Sequence, residues 1–171
     1  LNKIANDLPD FERDLFPNEA QLIYQEAHDA LCKWDVDRLR ELVTERCYGE
    51  MVVPLERRSV VWSLERSLEP PSIVHARVGD MLSGKIVVAQ ITVRLFTQQK
   101  LALFDRFGRL LAGSMTDLQD VLEYIVFERM LSNTYSSWRI HDKIVPNWVK
   151  EKSHGFSRTF VIQPEVEPIP S

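Results

Sequence analysis

Apolar residues recur every three or four positions in the first third of the chain and every two in the middle third. Ala20, Ile23, Ala27, Ala30, Leu31 and Trp34 mark one face of a helix over 18–33, and Pro17 suits its first turn, where no backbone N–H is needed. Asp35 or Asp37 offers a side-chain oxygen to cap a second helix running to about residue 47. That helix places Leu39, Leu42, Val43 and Cys47 inward, with Gly49 as its expected stop. Residues 1–16 hold no sustained period. With Pro9 and the acids Asp7, Asp10, Glu12 and Asp14 they read as an acidic N-terminal arm outside the core.

From about residue 60 the period becomes two. Val60, Trp62, Leu64 and Leu68 alternate with Val61, Ser63, Glu65 and Ser67 in a half-buried strand ended by Pro70-Pro71. Val74, Ala76 and Val78 alternate with His75 and Arg77, and Ser83-Gly84 turns the chain. Val87, Ala89, Ile91, Val93 and Leu95 alternate with Gln90, Thr92 and Arg94. Leu101–Phe104, Asp105, Gly108 and Leu110-Leu111 then read as a hairpin, with Asp at the first turn position and Gly at the fourth. Residues 121–130 satisfy helical as well as strand spacing. Their β-branched and aromatic content (Val121, Tyr124, Ile125, Val126, Phe127) favours a strand buried on both faces. A last strand, 138–145, sets Trp138, Ile140 and Ile144 against Arg139, His141 and Lys143.

Helices followed by an antiparallel meander define an α+β class, with N-terminal helices packed on a curved, mainly antiparallel sheet. The expected organisation is an arm (1–16), a single domain (17–148) and an extended, proline-spaced C-terminal tail (149–171).

Composition adds little beyond an ordinary globular balance, with 44% hydrophobic and 27% charged residues. The net charge of −4 argues against an autonomous nucleic-acid binder. Its distribution is uneven. Residues 1–31 carry two bases against seven acids, a net of −5, whereas residues 132–160 carry five bases against two acids, a net of +3. Cys32 and Cys47 have neither CxxC nor zinc-site spacing and read as reduced helix residues. The chain starts at Leu1 without an arginine-rich leader or a signal-like apolar segment, as expected of a processed or truncated product.

His28, His75, His141 and His154 form no metal-binding motif, and no nucleotide-binding or serine-hydrolase loop occurs. No cofactor is expected. An enzymatic alternative needs a buried acid and a tyrosine inside the domain, for which Asp105, Glu123, Glu128 and Tyr124 are the candidates. Asp105 is better used as the turn acid, and Glu123 and Glu128 differ in parity, so they point to opposite faces of a strand. Tyr124 reads as a core tyrosine. The basic residues carry more promise. His75, Arg77, Arg94, Arg139, His141 and Lys143 fall on the less apolar parity of their strands, and Arg106 and Arg109 flank the hairpin turn. Such a set suits RNA phosphates without base readout, or else is a solvated face balanced by Glu65 and Asp142. Lys150 and Lys152 extend the basic set into the tail. Trp34, Trp62 and Trp138 read as core, and Trp148 is left open.

The hairpin Leu101–Leu111 and the segment Asp120–Glu128, in order with Ser67-Leu68-Glu69-Pro70, Gln90-Ile91-Thr92-Val93-Arg94, Asn133 with Tyr135, Ser137–His141 and Lys143–Pro146, resemble the mitochondrial large-subunit ribosomal protein forty-five family. The resemblance covers roughly residues 17–148. It implies a domain similar to the membrane-docking domain of the mitochondrial import-motor anchor, within the nuclear-transport-factor-two-like cone. It also implies a structural, non-enzymatic part of the large ribosomal subunit near the polypeptide exit, in the matrix and peripheral to the inner membrane. The partners implied are large-subunit rRNA, neighbouring mitochondrial ribosomal proteins, and the inner membrane surface with its insertase, with no small-molecule substrate. The alternative is an import-motor-anchor-like protein that docks on the inner membrane and binds translocase proteins without rRNA. In the family a basic extension precedes the domain, a role that the acidic residues 1–16 do not fit.

Overall fold

The computed structural model describes residues 1–133, 135–144 and 160–162. Val145, Trp148, Lys150 and Lys152 lie outside the described residues, as does most of the expected tail. Two long antiparallel strands form the spine: β3 (Ile86–Phe104) and β4 (Leu110–Met130). Two shorter strands, β1 (Ser59–Ser67) and β2 (Ser72–Met81), share one edge of β3 end to end, β1 against residues 97–104 and β2 against residues 86–94. On the far edge of β4 lie β5 (Arg139–Ile144) and the short β6 (Phe160–Ile162). The helices α1 (Asn2–Asp7), α2 (Phe16–Cys32), α3 (Val36–Leu42) and α4 (Glu45–Val52) contribute to one hydrophobic cluster with the sheet. Into that cluster β3 sends Ala89, Ile91, Val93, Leu95 and Leu103. The α+β class read from the pattern is the class observed.

The long central strand was disguised by polar residues. Thr97 and Gln99 have inward parity and are buried, which broke the apolar alternation into two apparent strands. Their burial is tolerated because every step is bonded. Trp62 Nε1 donates to Gln99 Oε1 (2.8 Å), and Gln99 Nε2 donates to the Tyr24 hydroxyl (2.7 Å) and to Thr97 Oγ1 (2.9 Å). Residues 121–130 form a strand, and Val121, Leu122, Ile125, Val126 and Phe127 are buried on its two faces.

Five expectations are corrected. The segment 1–16 is not outside the core: Ile4, Leu8 and Phe16 are buried in the common hydrophobic cluster, with Phe11 packed on Trp138 and Phe16 on both Trp138 and Phe127. The second helix is two helices. Val43 leaves helical geometry to bridge Ile140, Thr44 N–H donates to the Ile140 carbonyl (2.8 Å), and Thr44 Oγ1 caps α4, which runs through Gly49. Trp34 is 48% exposed, since α2 has ended. Its N–H and that of Asp35 bond back to the Leu31 and Ala30 carbonyls, with Trp34 itself at φ +56°. A bulge between Ile73 and His75 puts Ile73 in the core and leaves Val74 exposed. A second bulge on β5 skips His141 between the pairs Phe127↔Ile140 and Val126↔Asp142. An extra residue reverses parity beyond it, so Lys143 turns toward the helices and Ile144 away.

Candidate functional site

Beneath α2, the reversed parity of β5 creates a buried charge cluster. Glu123 on β4 is 2% exposed, its Oε1 accepting from the Tyr24 hydroxyl (2.7 Å) and its Oε2 lying 2.9 Å from Lys143 Nζ. Burial alone would push the Glu123 carboxyl up, but Lys143 and the Tyr24 hydroxyl outweigh it and hold the group below its ordinary value. Burial, with the Glu123 charge beside it, carries the Tyr24 hydroxyl well above its usual range. His28 stacks on Trp62 (4.9 Å between centroids), and its Nδ1–H donates to the Tyr24 carbonyl (2.8 Å). Burial and then the Lys143 charge depress its pKa to about 4, so it is neutral at pH 7. The cavity among His28, Trp62, Gln99, Glu123 and Lys143 holds about 20 Å³, room for one water and no substrate. A low-pKa, ion-paired carboxylate in so small a space is a poor proton acceptor for catalysis.

The depressed His28 value sets a pH dependence. The unfolded chain takes up the imidazole proton near pH 6.5 and the folded chain only near 4, so stability is full above about 6.5 and falls as pH drops through that window. The expected loss by pH 4 is about 3 kcal/mol. Imidazole NMR titration checks this, and a His28 signal titrating near 6.5 in the folded chain would refute it.

The opposite face of the sheet carries the residues expected to contact partners. The cross-strand row Arg77–Gln90–Glu128–Arg139 runs over β2, β3, β4 and β5, and the neighbouring row is His75–Thr92–Val126–Asp142. Arg77 Nε donates to Gln90 Oε1 (2.7 Å) and Gln90 Nε2 to Glu128 Oε2 (2.8 Å). His141 sits with Nε2 3.4 Å from Glu128 and Nδ1 3.0 Å from Thr44 Oγ1. Arg139 lies on this outer face beside Glu128. Arg94 is committed elsewhere, held by Glu69 and by the Tyr124 hydroxyl (2.7 Å). Tyr124 is therefore an outer-face residue rather than a core one, because it shares the parity of Arg94. Lys143, expected here, belongs to the buried cluster instead. Arg46 on α4, which no strand pattern could reveal, reaches this face through Asp142 (3.5 Å).

Arg106 and Arg109 stand apart at the β3–β4 turn. Asp105 Oδ1 accepts from the Phe107 and Arg109 N–H groups (2.8 and 2.9 Å), and these bonds hold its carboxyl below the ordinary value. Asp105 is thus turn chemistry. Arg109 Nε also pairs with Asp105 Oδ2 (2.8 Å). Both guanidiniums lie over the Phe107 ring, at 4.6 and 5.4 Å, while Phe107, Leu110 and Leu111 are exposed. The turn thus displays an apolar tip clasped by two arginines, and sequence reading found the arginines without the phenylalanine.

The fold of helices on an unclosed antiparallel sheet has a clear family. A model described as the Tim44-like domain matches residues 1–145, and the chain belongs to that family. The match begins at residue 1, in keeping with the buried side chains of α1. Large ribosomal subunit protein mL45 of Drosophila melanogaster is 44% identical over 168 residues, 98% of this chain and 46% of that protein. The protein of the same name from Bos taurus is 42% identical over 168 residues (98% and 55%), and that from Xenopus tropicalis 41% over 169 (99% and 54%). The chain spans about half the length of the curated relatives it matches. The resemblance drawn from the hairpin and the segments around it is borne out.

Proposed function

We propose that the chain is a structural component of the mitochondrial large ribosomal subunit near the polypeptide exit. In this reading it binds large-subunit rRNA and neighbouring ribosomal proteins and helps hold the ribosome against the inner membrane, from the matrix side. The observation that carries it is identity of 41–44% across 98–99% of this chain to proteins named as large-subunit components. The cavity beneath α2, with room for one water, offers no substrate space around Glu123, in keeping with a scaffold. Among the described residues no helix is long and apolar enough to cross a membrane. In this reading the exposed Arg106–Phe107–Arg109 tip is a surface suited to contact with the membrane.

An epitope-tagged chain is expected to co-sediment with large mitochondrial subunits. A pool that remains entirely free of them would overturn the proposal. The family description favours one second reading, an import-motor-anchor-like protein on the inner membrane. Recovery of import-channel proteins with no protection of rRNA would select it.

A further inference from the structure

A cleft of about 280 Å³ opens on the outer face of the sheet, close to the lower limit of ordinary ligand sites. Its floor is Gln90, Thr92 and Val126, its rims are His75 and Arg77 on β2 and His141 and Asp142 on β5, and Arg46 closes one end. From β2 to β5 is three interstrand steps, about 14 Å. The groups are held in place before any ligand arrives. A chain of polar contacts runs Arg77–Gln90–Glu128–His141–Thr44, hydrogen-bonded except for the 3.4 Å approach of His141 Nε2 to Glu128, and ties the two rims across the floor. Arg77 is bonded through Nε alone among the described residues, so both of its terminal amino groups remain open, and His75 beside it is exposed with no bonded partner among them.

The charge balance selects the ligand. Arg46 shares its charge with Asp142 (3.5 Å), and Glu128, on the same face but outside the cleft lining, accepts from Gln90 and lies 3.4 Å from His141 Nε2. What remains facing outward is essentially one guanidinium with two imidazoles and neutral donors around it. That set suits a singly charged, hydrogen-bond-accepting group better than a dianion, and a guanidinium fork matches phosphate oxygens. We propose that this cleft holds one phosphodiester of RNA, with Arg77 as its principal ligand and His75, His141 and Thr92 lining the site. The proposal rests on the rRNA-binding reading above and gives it a location. Arg139, at the end of the adjoining row, is placed to meet the continuing backbone.

The test is titration of the ¹⁵N-labelled chain with a uridine oligonucleotide, followed at the arginine Nε and imidazole signals. A parallel arm uses inorganic phosphate at matched ionic strength. RNA is expected to shift Arg77, His75 and His141 together, and Arg77→Gln to weaken binding about tenfold and lower the salt slope by about one. Arg66→Gln, a change to an exposed outer-face arginine of β1 bonded to Gln98, is expected to leave both unchanged. Shifts by inorganic phosphate with none by RNA would overturn the diester assignment. RNA binding that Arg77→Gln leaves intact would overturn the cleft itself. Sedimentation separates the two readings: a wild-type chain and an Arg77→Gln chain that enter large subunits equally at every salt concentration refute the cleft and spare the ribosomal role. A wild-type chain that never enters them refutes the role.

Discussion

Replacing Lys143 with methionine is expected to lower the unfolding free energy at pH 7 by about 3–5 kcal/mol, the range for breaking one side of a buried ion pair. Methionine fills most of the lysine's volume but removes the ammonium 2.9 Å from Glu123 Oε2. The Glu123 carboxylate, 2% exposed, is then left with the Tyr24 hydroxyl as its described hydrogen-bond donor. Burial no longer meets an opposing charge, and the direction of the Glu123 shift reverses from below its ordinary value to above it. An acid with a raised folded pKa is penalised above its unfolded value of about 4.3, so the variant's deficit is largest at neutral pH and shrinks as pH falls toward that value. The pair Glu123→Gln with Lys143→Met is expected to regain most of the loss, because the amide carbonyl still accepts from Tyr24 and no charge remains buried. Urea unfolding of the three variants at pH 7 and pH 5 checks both statements. A Lys143→Met deficit below about 1 kcal/mol and equal at the two pH values would show that the pair contributes nothing to stability.

The same lysine shows where sequence reading fails. Period-two alternation located β1, β2, β5 and the first half of β3, because one buried face repeats on alternate residues regardless of what covers it. The second half of β4 is read instead from its β-branched and aromatic content. Alternation is blind to an inserted residue, however, and His141 and Val74 are such insertions. Each reverses the faces of the residues beyond it, which moved Lys143 from the expected partner face into the core and brought Ile144 outward. The buried cluster was illegible for a related reason: Tyr24, Gln99 and Glu123 are distant in sequence and become compatible with burial only when the fold joins them. Asp105 and the hairpin were readable since a turn is local chemistry. Glu123 and Glu128 also fall on opposite faces as parity required, because β4 is regular between them. Arg46 carried no signal at all, as its place on the outer face depends on how α4 meets β5.

Truncating Phe16 to alanine is expected to cost about 3–5 kcal/mol, the usual loss for a buried aromatic. The ring is 1% exposed and packs edge-on to Phe127 (6.0 Å, 89°), against Trp138 (4.8 Å) and beside Phe11 (5.5 Å). No rearrangement fills that space cheaply, because Phe127 belongs to the paired interior of β4 and Trp138 adjoins β5. Ile4→Ala, in α1, is expected to cost about 2–5 kcal/mol for the same reason. Leu15→Ala, one residue from Phe16 but 58% exposed, should stay within about 0.5 kcal/mol. The contrast separates burial from helix propensity, since all three positions lie in or beside the first two helices. It also decides what residues 1–16 are. If Ile4→Ala and Phe16→Ala both unfold at the wild-type urea midpoint, the segment is an arm resting on the domain. If both shift it while Leu15→Ala does not, the hydrophobic core begins at α1, and the acids Asp7, Asp10, Glu12 and Asp14 are the solvent side of a buried element.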